Sequence, residues 1–459
     1  MPQVRRGAGA EGRRTATPEL FYDLVFVFAI TQVSHVLLGN LTWAGAGEAM
    51  MVLLAVWWSW NYTTWATNEL DPDSTTVRVL LIALMLASLL MAIAIPGAFG
   101  DEGLLFAGAY VTIQVGRHVF LTFVAAASGT IERERAGRIL IWFIAAGVFW
   151  IAGGIADGEA RVALWFVALA LDYGAPLVLF QIPGRPRPAG ETWQVAVGHF
   201  AERFGLFVII ALGETIVLTG ATTAGLDLDA TTVTAFGGAF LGTAALWWSY
   251  FTSIRELAEH ALTEAASRTQ VARDVYTYGH VLIIAGIILT AVGDELVIAH
   301  STEELASAQM TAVVSGPATY LLAQATLRLR VTGAVSHRLV AGALACVAIG
   351  FFGTPLPALA VGGLLVVVLL AVIMAKETDR SGRLPAEERA GVRDRRRCVR
   401  EDQAVAAEVV RDAEGGESLV VPRLDPRDEH GDAALLPSAL AVATLSACTP
   451  VTPSAAGTC

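Results

Sequence analysis

Long apolar stretches alternate with short polar loops along most of the chain. A transmembrane helix needs about 20 mostly apolar residues. In lipid each backbone amide must find its partner within its own segment, which favours helices. The pattern therefore predicts an all-α fold, a polytopic transmembrane helical bundle of about twelve spans. The predicted spans lie near 19–38, 44–65, 77–97, 104–126, 138–156, 162–182, 195–219, 233–253, 277–299, 307–327, 337–353 and 356–375.

The last two predicted spans are separated by very few residues. The sequence between them, "GFFGTPLPALAVGG", leaves room only for a tight turn. Two separate spans fit this pattern. A re-entrant hairpin, with eleven spans in the whole chain, fits it as well.

Arginines in the loops indicate the orientation, because cytoplasmic loops carry an excess of Arg and Lys. With the N-terminus inside, only Arg161 falls on the outer side. The alternation supports an even number of spans and predicts that both the N- and C-termini are cytoplasmic. The inner loops then hold Arg78, Arg133, Arg135, Arg138, Arg185, Arg187, Arg255, Arg268, Arg273, Arg328, Arg330 and Arg338.

Two pairs of similar segments indicate an internal duplication. "TWAGAGEAMMVLLAVWWSW" aligns with "TVTAFGGAFLGTAALWWSY", which places Trp57–Ser59 on Trp247–Ser249. "ELFYDLVFVFAI" aligns with "ERFGLFVIIALG". We therefore predict two six-helix repeats, 19–182 and 195–375. Because six is even, the repeats would be parallel, related by an axis along the membrane normal. Chance similarity between apolar segments is the alternative explanation.

The two ends of the chain differ from its apolar middle. Residues 1–18 begin with the basic stretch "MPQVRRGAGAEGRR" and show no small-residue cleavage site, which predicts an uncleaved cytoplasmic segment. Residues 376–459 are rich in charged residues, Pro and Gly, which predicts a disordered cytoplasmic tail. Its "RAGVRDRRRCVR" cluster suits contact with anionic lipid of the inner leaflet. A solvated run of charges is the simpler interpretation.

Composition supports the membrane assignment and argues against other classes. Of the 459 residues, 55% are hydrophobic and 16% are charged, whereas soluble domains carry about 25% charged residues. A net charge of −11 argues against a nucleic-acid partner. The four cysteines show no spacing typical of a disulfide framework or a zinc site. We therefore expect the lipid bilayer as the main partner, with no metal and no cofactor; the oligomeric state stays open.

The first predicted span carries titratable residues where water is scarce. A charge at the bilayer centre costs at least about 2.5–3.5 kcal/mol, so such residues usually face a bundle interior and serve a function. Helical geometry places Asp23, Thr31, Ser34 and His35 within one arc of about 120°. We expect this polar stripe to face protein or water. Alternatively, Glu19 and Asp23 only stabilise the positive end of a helix dipole.

The seventh predicted span carries a similar stripe formed by His199, Glu202, Arg203 and Glu214. Glu214 lies about 18 Å further along the helix than Glu202. We expect Asp23 and Glu202 to share Arg203 in one interior site, and Glu214 to extend that site toward the other side of the membrane. The alternative is a buried ion pair that only locks helix packing.

Further polar residues fall within other predicted spans. Asp172 in "LALDYGAPLVL" and Arg117 are also candidates for the interior site. For His118 and His280 we expect hydrogen-bonded packing roles rather than ligand binding.

The segments "ELFYDLVFVFAITQVSHVL", "HFAERFGLFVIIALGETIV" and "LDYGAPL" are similar to signature segments of the bacterial low temperature requirement protein A family. The resemblance extends over about residues 15–376. It implies a multi-pass protein of the bacterial inner membrane, in a family named for a growth phenotype in the cold. It assigns no chemical role to the motif positions it carries over, which are Glu19, Phe21, Asp23, His199, Glu202, Arg203 and Glu214.

Two functional classes fit these features. A duplicated bundle with titratable groups at the repeat interface suits a proton-coupled secondary transporter of an unknown small solute. The alternative is a non-transporting scaffold or sensor for cold or envelope stress. An enzyme is not expected, because the sequence contains no HExxH, GxSxG or paired Cys/His nucleophile motif. It also lacks the GxxxxGK[ST] motif of ATP-driven proteins.

Overall fold

Twelve helices make up the part of the chain described by the computed structural model, residues 15–186 and 195–383, with side chains up to residue 376. The predicted all-α class is confirmed within these residues. The helices are α1 (Thr17–Gly39), α2 (Trp43–Glu69), α3 (Thr75–Ile93), α4 (Gly103–Ala125), α5 (Ile131–Ile155), α6 (Gly158–Gly174), α7 (Val197–Ala224), α8 (Ala230–Ser249, continued by Tyr250–Ile254 and Arg255–Glu264), α9 (Arg268–Ala299), α10 (Ser307–Thr332), α11 (His337–Phe352) and α12 (Ala358–Arg383).

Seven of the described helices are long and apolar enough to cross a membrane: α1, α3, α4, α5, α7, α9 and α12. Large apolar side chains on their outer faces are exposed, such as Phe21 (57%) on α1 and Val148 (62%) on α5. Exposed apolar faces of this kind suit contact with lipid tails. The chain is therefore a multi-pass membrane protein, while the exact number of spans remains a prediction.

The helix α2 is buried along almost its whole second half. Every residue from Ala55 to Asn68 is buried, including Ser59, Asn61 and Thr64. Neighbouring helices provide hydrogen-bond partners for its polar groups. For example, the indole Nε1 of Trp57 donates to the carbonyl oxygen of Thr277 on α9 at 2.8 Å. Because protein rather than lipid surrounds this segment, its side chains need not be apolar, and α2 is central to the bundle.

Several helix ends differ from the predicted ones. The sequence pattern extended α6 to residue 182, but the helix ends at Gly174. Pro176 has no amide hydrogen to continue the helix, and Leu179 and Phe180 both adopt a left-handed φ of 54°. At the other end of the chain, α12 continues to Arg383, beyond the predicted boundary at 375.

The helices α9 and α10 pack closely through glycines. A Cβ atom on Gly286 would lie 2.7 Å from the backbone nitrogen of Tyr320, and one on Gly316 would lie 2.4 Å from that of Thr290. Small residues let helix backbones approach each other in a membrane, where lipid offers no hydrophobic force to hold helices together.

The predicted duplication remains a prediction. Trp57 and Trp58 are buried, whereas Trp247 and Trp248 are 44% and 48% exposed, so the two tryptophan pairs occupy different environments. The turn between α11 and α12 separates two distinct helices, and Ala358 at the start of α12 donates its amide to the carbonyl of Glu303. The predicted N-terminal segment lies outside the described residues up to position 14, and the predicted tail lies outside them from position 384.

Candidate functional site

Two helices that run side by side, α1 and α7, each carry two polar side chains one helical turn apart. Glu19 and Asp23 on α1 face His199 and Arg203 on α7, and all four side chains are at most 2% exposed. His199 Nε2 lies 3.0 Å from Glu19 Oε2, and Arg203 Nη2 lies 2.6 Å from Asp23 Oδ1. Arg203 Nη1 also lies 3.4 Å from Glu19 Oε1. We call these four residues the ion-pair cluster, and the end of the bundle where it lies the near end.

The central helix α2 closes this cluster from a third side. The indole Nε1 of Trp60 donates to Asp23 Oδ1 at 2.7 Å, and Arg203 Nη2 donates to the hydroxyl of Thr64 at 3.4 Å. The Arg203 guanidinium carbon also lies 6.0 Å from the centre of the Trp60 ring, within range of a cation–π contact. The cluster is therefore held by three helices.

Glu19 has a second, structural role at the start of α1. Its Oε2 accepts a hydrogen bond from the backbone amide of Ala16 at 2.9 Å. Amides in the first turn of a helix have no partner within the helix, so a carboxylate there is stabilising. The expected contribution of Glu19 to the helix end is therefore present together with its contact to Arg203.

The charges of the ion-pair cluster do not balance without a proton. Two carboxylates face one permanently charged guanidinium, and the fourth member, His199, is charged only when it is protonated. Burying a net charge is costly. The cluster reaches neutrality when one additional proton is bound, either on His199 or on a carboxylate.

Several buried atoms of the cluster have unused hydrogen-bonding capacity within the described part of the chain. Asp23 Oδ2, His199 Nδ1 and Arg203 Nε have no hydrogen-bond partner. Buried polar groups are normally paired. Asp23 Oδ2 and His199 Nδ1 can therefore take up a proton or accept a hydrogen bond from a ligand, and Arg203 Nε can donate one.

The second acid at Arg203 is Glu19, not Glu202 as the sequence pattern suggested. Glu202 is half-buried, and its Oε2 accepts from the backbone amide of Thr15 at 2.9 Å. Adjacent residues on a helix point about 100° apart, so Glu202 and Arg203 face different neighbours. The sequence feature that points to Glu19 is its spacing. Glu19 and Asp23 on α1 are four residues apart, as are His199 and Arg203 on α7.

Glu214 lies further along the same α1–α7 interface. Its side chain is fully buried, and its Oε2 accepts from the hydroxyl of Thr31 on α1 at 2.5 Å. His35, one turn further along α1, is exposed. The eleven residues from Arg203 to Glu214 correspond to about 16 Å along the helix, so Glu214 is not in contact with the ion-pair cluster.

Aromatic side chains fill the space between Arg203 and Glu214. The ring of Phe207 on α7 lies 4.1 Å from that of Trp60, 5.5 Å from that of Trp57 and 6.3 Å from that of Phe26, measured between ring centres. All four rings are at most 1% exposed. We call these four residues the aromatic plug. It separates the two polar regions with a layer of buried aromatic rings.

Asp172 belongs to a different part of the bundle. Its Oδ2 accepts from the hydroxyl of Tyr110 on α4 at 2.6 Å and from the indole of Trp150 on α5 at 3.0 Å. Its other oxygen, Oδ1, is buried without a hydrogen-bond partner among the described residues. Within the described part of the chain, Asp172 thus makes no hydrogen bond or ion pair with the ion-pair cluster.

Arg117, His118 and His280 are buried and hydrogen-bonded, and the contacts of Arg117 and His280 join neighbouring helices. Arg117 on α4 donates to the hydroxyl of Thr63 at 3.0 Å and contacts Gln114. His118 Nδ1 lies 2.9 Å from the carbonyl of Gln114, and His280 Nε2 lies 2.9 Å from the hydroxyl of Tyr250. The two histidines have the hydrogen-bonded packing environment that was expected of them.

Sequence reasoning missed Glu295 and Trp60. Glu295 on α9 has a buried oxygen, Oε2, without a hydrogen-bond partner in the described chain. The sequence signal for Glu295 was the acidic pair in "AVGDELVIA" inside an apolar span. Trp60 gave no signal beyond its place in an aromatic run.

No group of three or more His, Cys, Asp or Glu side chains suited to a metal ion occurs among the residues that the structure covers.

Comparison with known proteins agrees with these motifs. The family model described as bacterial low temperature requirement A protein (LtrA) matches residues 14–374. A protein of Rhizobium meliloti (strain 1021), described as uncharacterized, is 39% identical over 297 residues, which cover 64% of this chain and 72% of that protein. No solved structure matches the chain. The chain therefore belongs to the bacterial low temperature requirement A protein (LtrA) family.

Proposed function

We propose that this protein is a proton-coupled secondary transporter of a small solute in the bacterial plasma membrane, with both termini in the cytoplasm. The observation that carries the proposal is the charge imbalance of the ion-pair cluster. Glu19 and Asp23 share the guanidinium of Arg203 in a fully buried position. A group that must gain a proton to become neutral, and lose it to become charged, can couple proton binding to a change in helix packing.

The position of the cluster supports this role. It lies between α1 and α7, the first helices of the two predicted repeats. Transporters built from repeats bind their substrates and coupling ions at the repeat interface. The aromatic plug next to the cluster would keep protons from passing freely to the other side, as coupled transport requires.

A large cavity offers room for a solute near the opposite end of the bundle. Its volume is about 570 Å³, and it lies between α1, α2, α9 and α10. The wall is mostly apolar, with Val33 and Met50 among its residues, and α10 adds the hydroxyl-bearing residues Thr311 and Ser315. Two of the flanking helices come from each predicted repeat. Such a lining suits a solute that is mainly apolar with one or two hydrogen-bonding groups.

The proposal is tested in proteoliposomes that contain the full chain and a pH-sensitive dye. We expect at least one solute from a panel of small organic ions, amino acids and neutral amphiphiles to drive proton movement. Asp23→Asn should abolish this solute-driven flux while the amount of reconstituted, folded protein stays the same. Exposed Asp73→Asn serves as the matched control and should transport normally.

The opposite outcome is equally clear. If folded protein moves no proton with any solute of the panel, the transporter proposal fails. A scaffold or sensor then becomes the better interpretation, since it requires no flux. If Asp23→Asn lowers activity only in proportion to the loss of folded protein, the ion-pair cluster is a packing lock.

A further inference from the structure

A second acidic region lies on the far side of the aromatic plug. Glu214 on α7 is fully buried, and Thr31 on α1 donates a hydrogen bond to its Oε2. Its other oxygen, Oε1, is buried without a hydrogen-bond partner among the described residues. Ser34 and His35 follow Thr31 by about one turn on the same helix. Glu214 therefore has one satisfied oxygen and one oxygen with unused capacity.

Among the residues that the structure describes, no Arg or Lys pairs with Glu214. The far halves of α1, α7, α8 and α9, which surround it, contain no Arg or Lys. Their titratable side chains are His35 on α1, and Asp294 and Glu295 on α9. On α2 the far half contains Glu48, which lines a different cavity beside α6. An ionised carboxylate at Glu214 would thus be buried without the partner that Arg203 provides for Asp23, and such isolated charges are very costly.

A series of polar groups leads from Glu214 toward the surface at the far end. Glu295 on α9 is half-buried, and α9 packs against both α1 and α7. Glu295 Oε2 is buried without a hydrogen-bond partner within the described residues. His35 is exposed. Exposure therefore increases stepwise from Glu214 through Glu295 to His35.

We infer that Glu214 is a second proton-binding site, loaded from the far end of the bundle through Glu295 and His35 and separated by the aromatic plug from the ion-pair cluster. The inference rests on the proposed function for its purpose, because a proton-coupled transporter must exchange protons with both sides of the membrane. The two sites differ in chemistry. The ion-pair cluster binds its proton beside a guanidinium, whereas Glu214 is neutral when it holds a proton and has no Arg or Lys beside it among the described residues.

Dicyclohexylcarbodiimide tests this assignment without any transport measurement. The reagent adds to protonated carboxyl groups in apolar surroundings, and mass spectrometry of peptides locates the adduct. We expect an adduct on Glu214 in the full chain, reconstituted in sealed vesicles whose two sides are buffered separately. Above its titration midpoint, the labelled fraction should fall about tenfold for each pH unit on the far side. The pH on the near side should have no effect.

Variants separate the site from general reactivity. Glu214→Gln should lose the adduct, and Glu214→Asp should retain one even if its helix packing is weaker. Glu295→Gln should remove the response to far-side pH. Glu48→Gln, the matched control in the same half of the bundle, should leave both labelling and response unchanged.

Three results would overturn the inference. They are an unlabelled Glu214 in folded protein, labelling that does not vary with pH, and a response that follows the near-side pH. None of them depends on solute transport. A protein that labels as expected but moves no solute would instead contradict the transporter proposal and leave Glu214 as a proton-binding residue.

Discussion

Arg203 on α7 places its guanidinium 2.6 Å from the carboxylate of Asp23 on α1, although 180 positions separate the two residues in the chain. The contact joins the first helix of one predicted repeat to the first helix of the other. Neither side chain is more than 2% exposed. The two helices are therefore tied together by charge at a depth where water cannot replace either partner.

Removing one partner of this pair should destabilise the fold strongly. Arg203→Gln removes the guanidinium that Glu19 and Asp23 share and leaves two buried carboxylates without their permanent cation, and the loss of one member of a buried pair costs about 3–5 kcal/mol. Thermal unfolding in detergent measures the change. The exposed pair formed by Arg78 and Asp73 is the matched control, and Asp73→Asn should change stability by less than about 1 kcal/mol. Equal effects at both positions would contradict a buried electrostatic contact.

Much of this contact followed from the sequence. Helical spacing placed Asp23 and Arg203 on interior faces, and two helices with matched polar turns limited the possible partners. The choice between Glu19 and Glu202 did not follow, because it depends on the relative rotation of α1 and α7. Only packing sets that rotation.

The role of α2 was also hidden from the sequence. Burial by neighbouring helices is a property of the assembled bundle, and no periodic pattern along α2 reports it. Glu295 was missed for a related reason. Its importance depends on Glu214 and His35, which belong to two other helices.

The aromatic plug should act as a barrier to protons. Phe207→Ala removes the ring that contacts Phe26, Trp57 and Trp60. If this lowers the barrier by about 1.4 kcal/mol, the proton leak rises about tenfold. Leak without solute, measured with a dye in proteoliposomes, checks the prediction. Ile209→Ala on the same helix, where Ile209 is 47% exposed, should not leak, and an equal leak in both variants would argue against a plug.

The glycine contact between α9 and α10 should tolerate no added methyl group. Gly316→Ala puts a Cβ atom 2.4 Å from the backbone nitrogen of Thr290, so the helices must separate. Overpacking of this kind costs about 1–3 kcal/mol. The control is Gly363→Ala, where a Cβ meets no atom within 4 Å. Thermal unfolding that shifts alike for both variants would show that α9 and α10 are not closely packed there.

The oxygen with which Asp172 accepts hydrogen bonds should contribute more to stability than the negative charge of its carboxylate. Asp172→Asn keeps an oxygen for both Tyr110 and Trp150, so the variant should remain folded. Asp172→Leu leaves both donors buried and unpaired, which costs about 1–3 kcal/mol for each group. Unfolding temperatures of the two variants distinguish these roles. An asparagine variant as unstable as the leucine variant would show that the charge itself is required.

The orientation of the bundle can be checked from two loops. In a variant with all four native cysteines replaced by serine, Asp227→Cys lies between α7 and α8, and Ser128→Cys lies between α4 and α5. A membrane-impermeant maleimide should label Asp227→Cys in intact cells. It should label Ser128→Cys only after the membrane is permeabilised. The reverse pattern would place the N-terminus outside.

The burial of α2 also bears on how the chain enters the membrane during synthesis. This helix is not among those apolar enough to cross a membrane by the criteria that α1 and α3 satisfy. Its second half carries Asn61, Thr63 and Thr64, side chains that lipid alone would not accept. We therefore expect the translocation machinery to retain α2 until neighbouring helices can cover these groups. Biogenesis of this protein is then expected to depend on cooperative insertion, in which α2 loses contact with water only when its neighbours are in place.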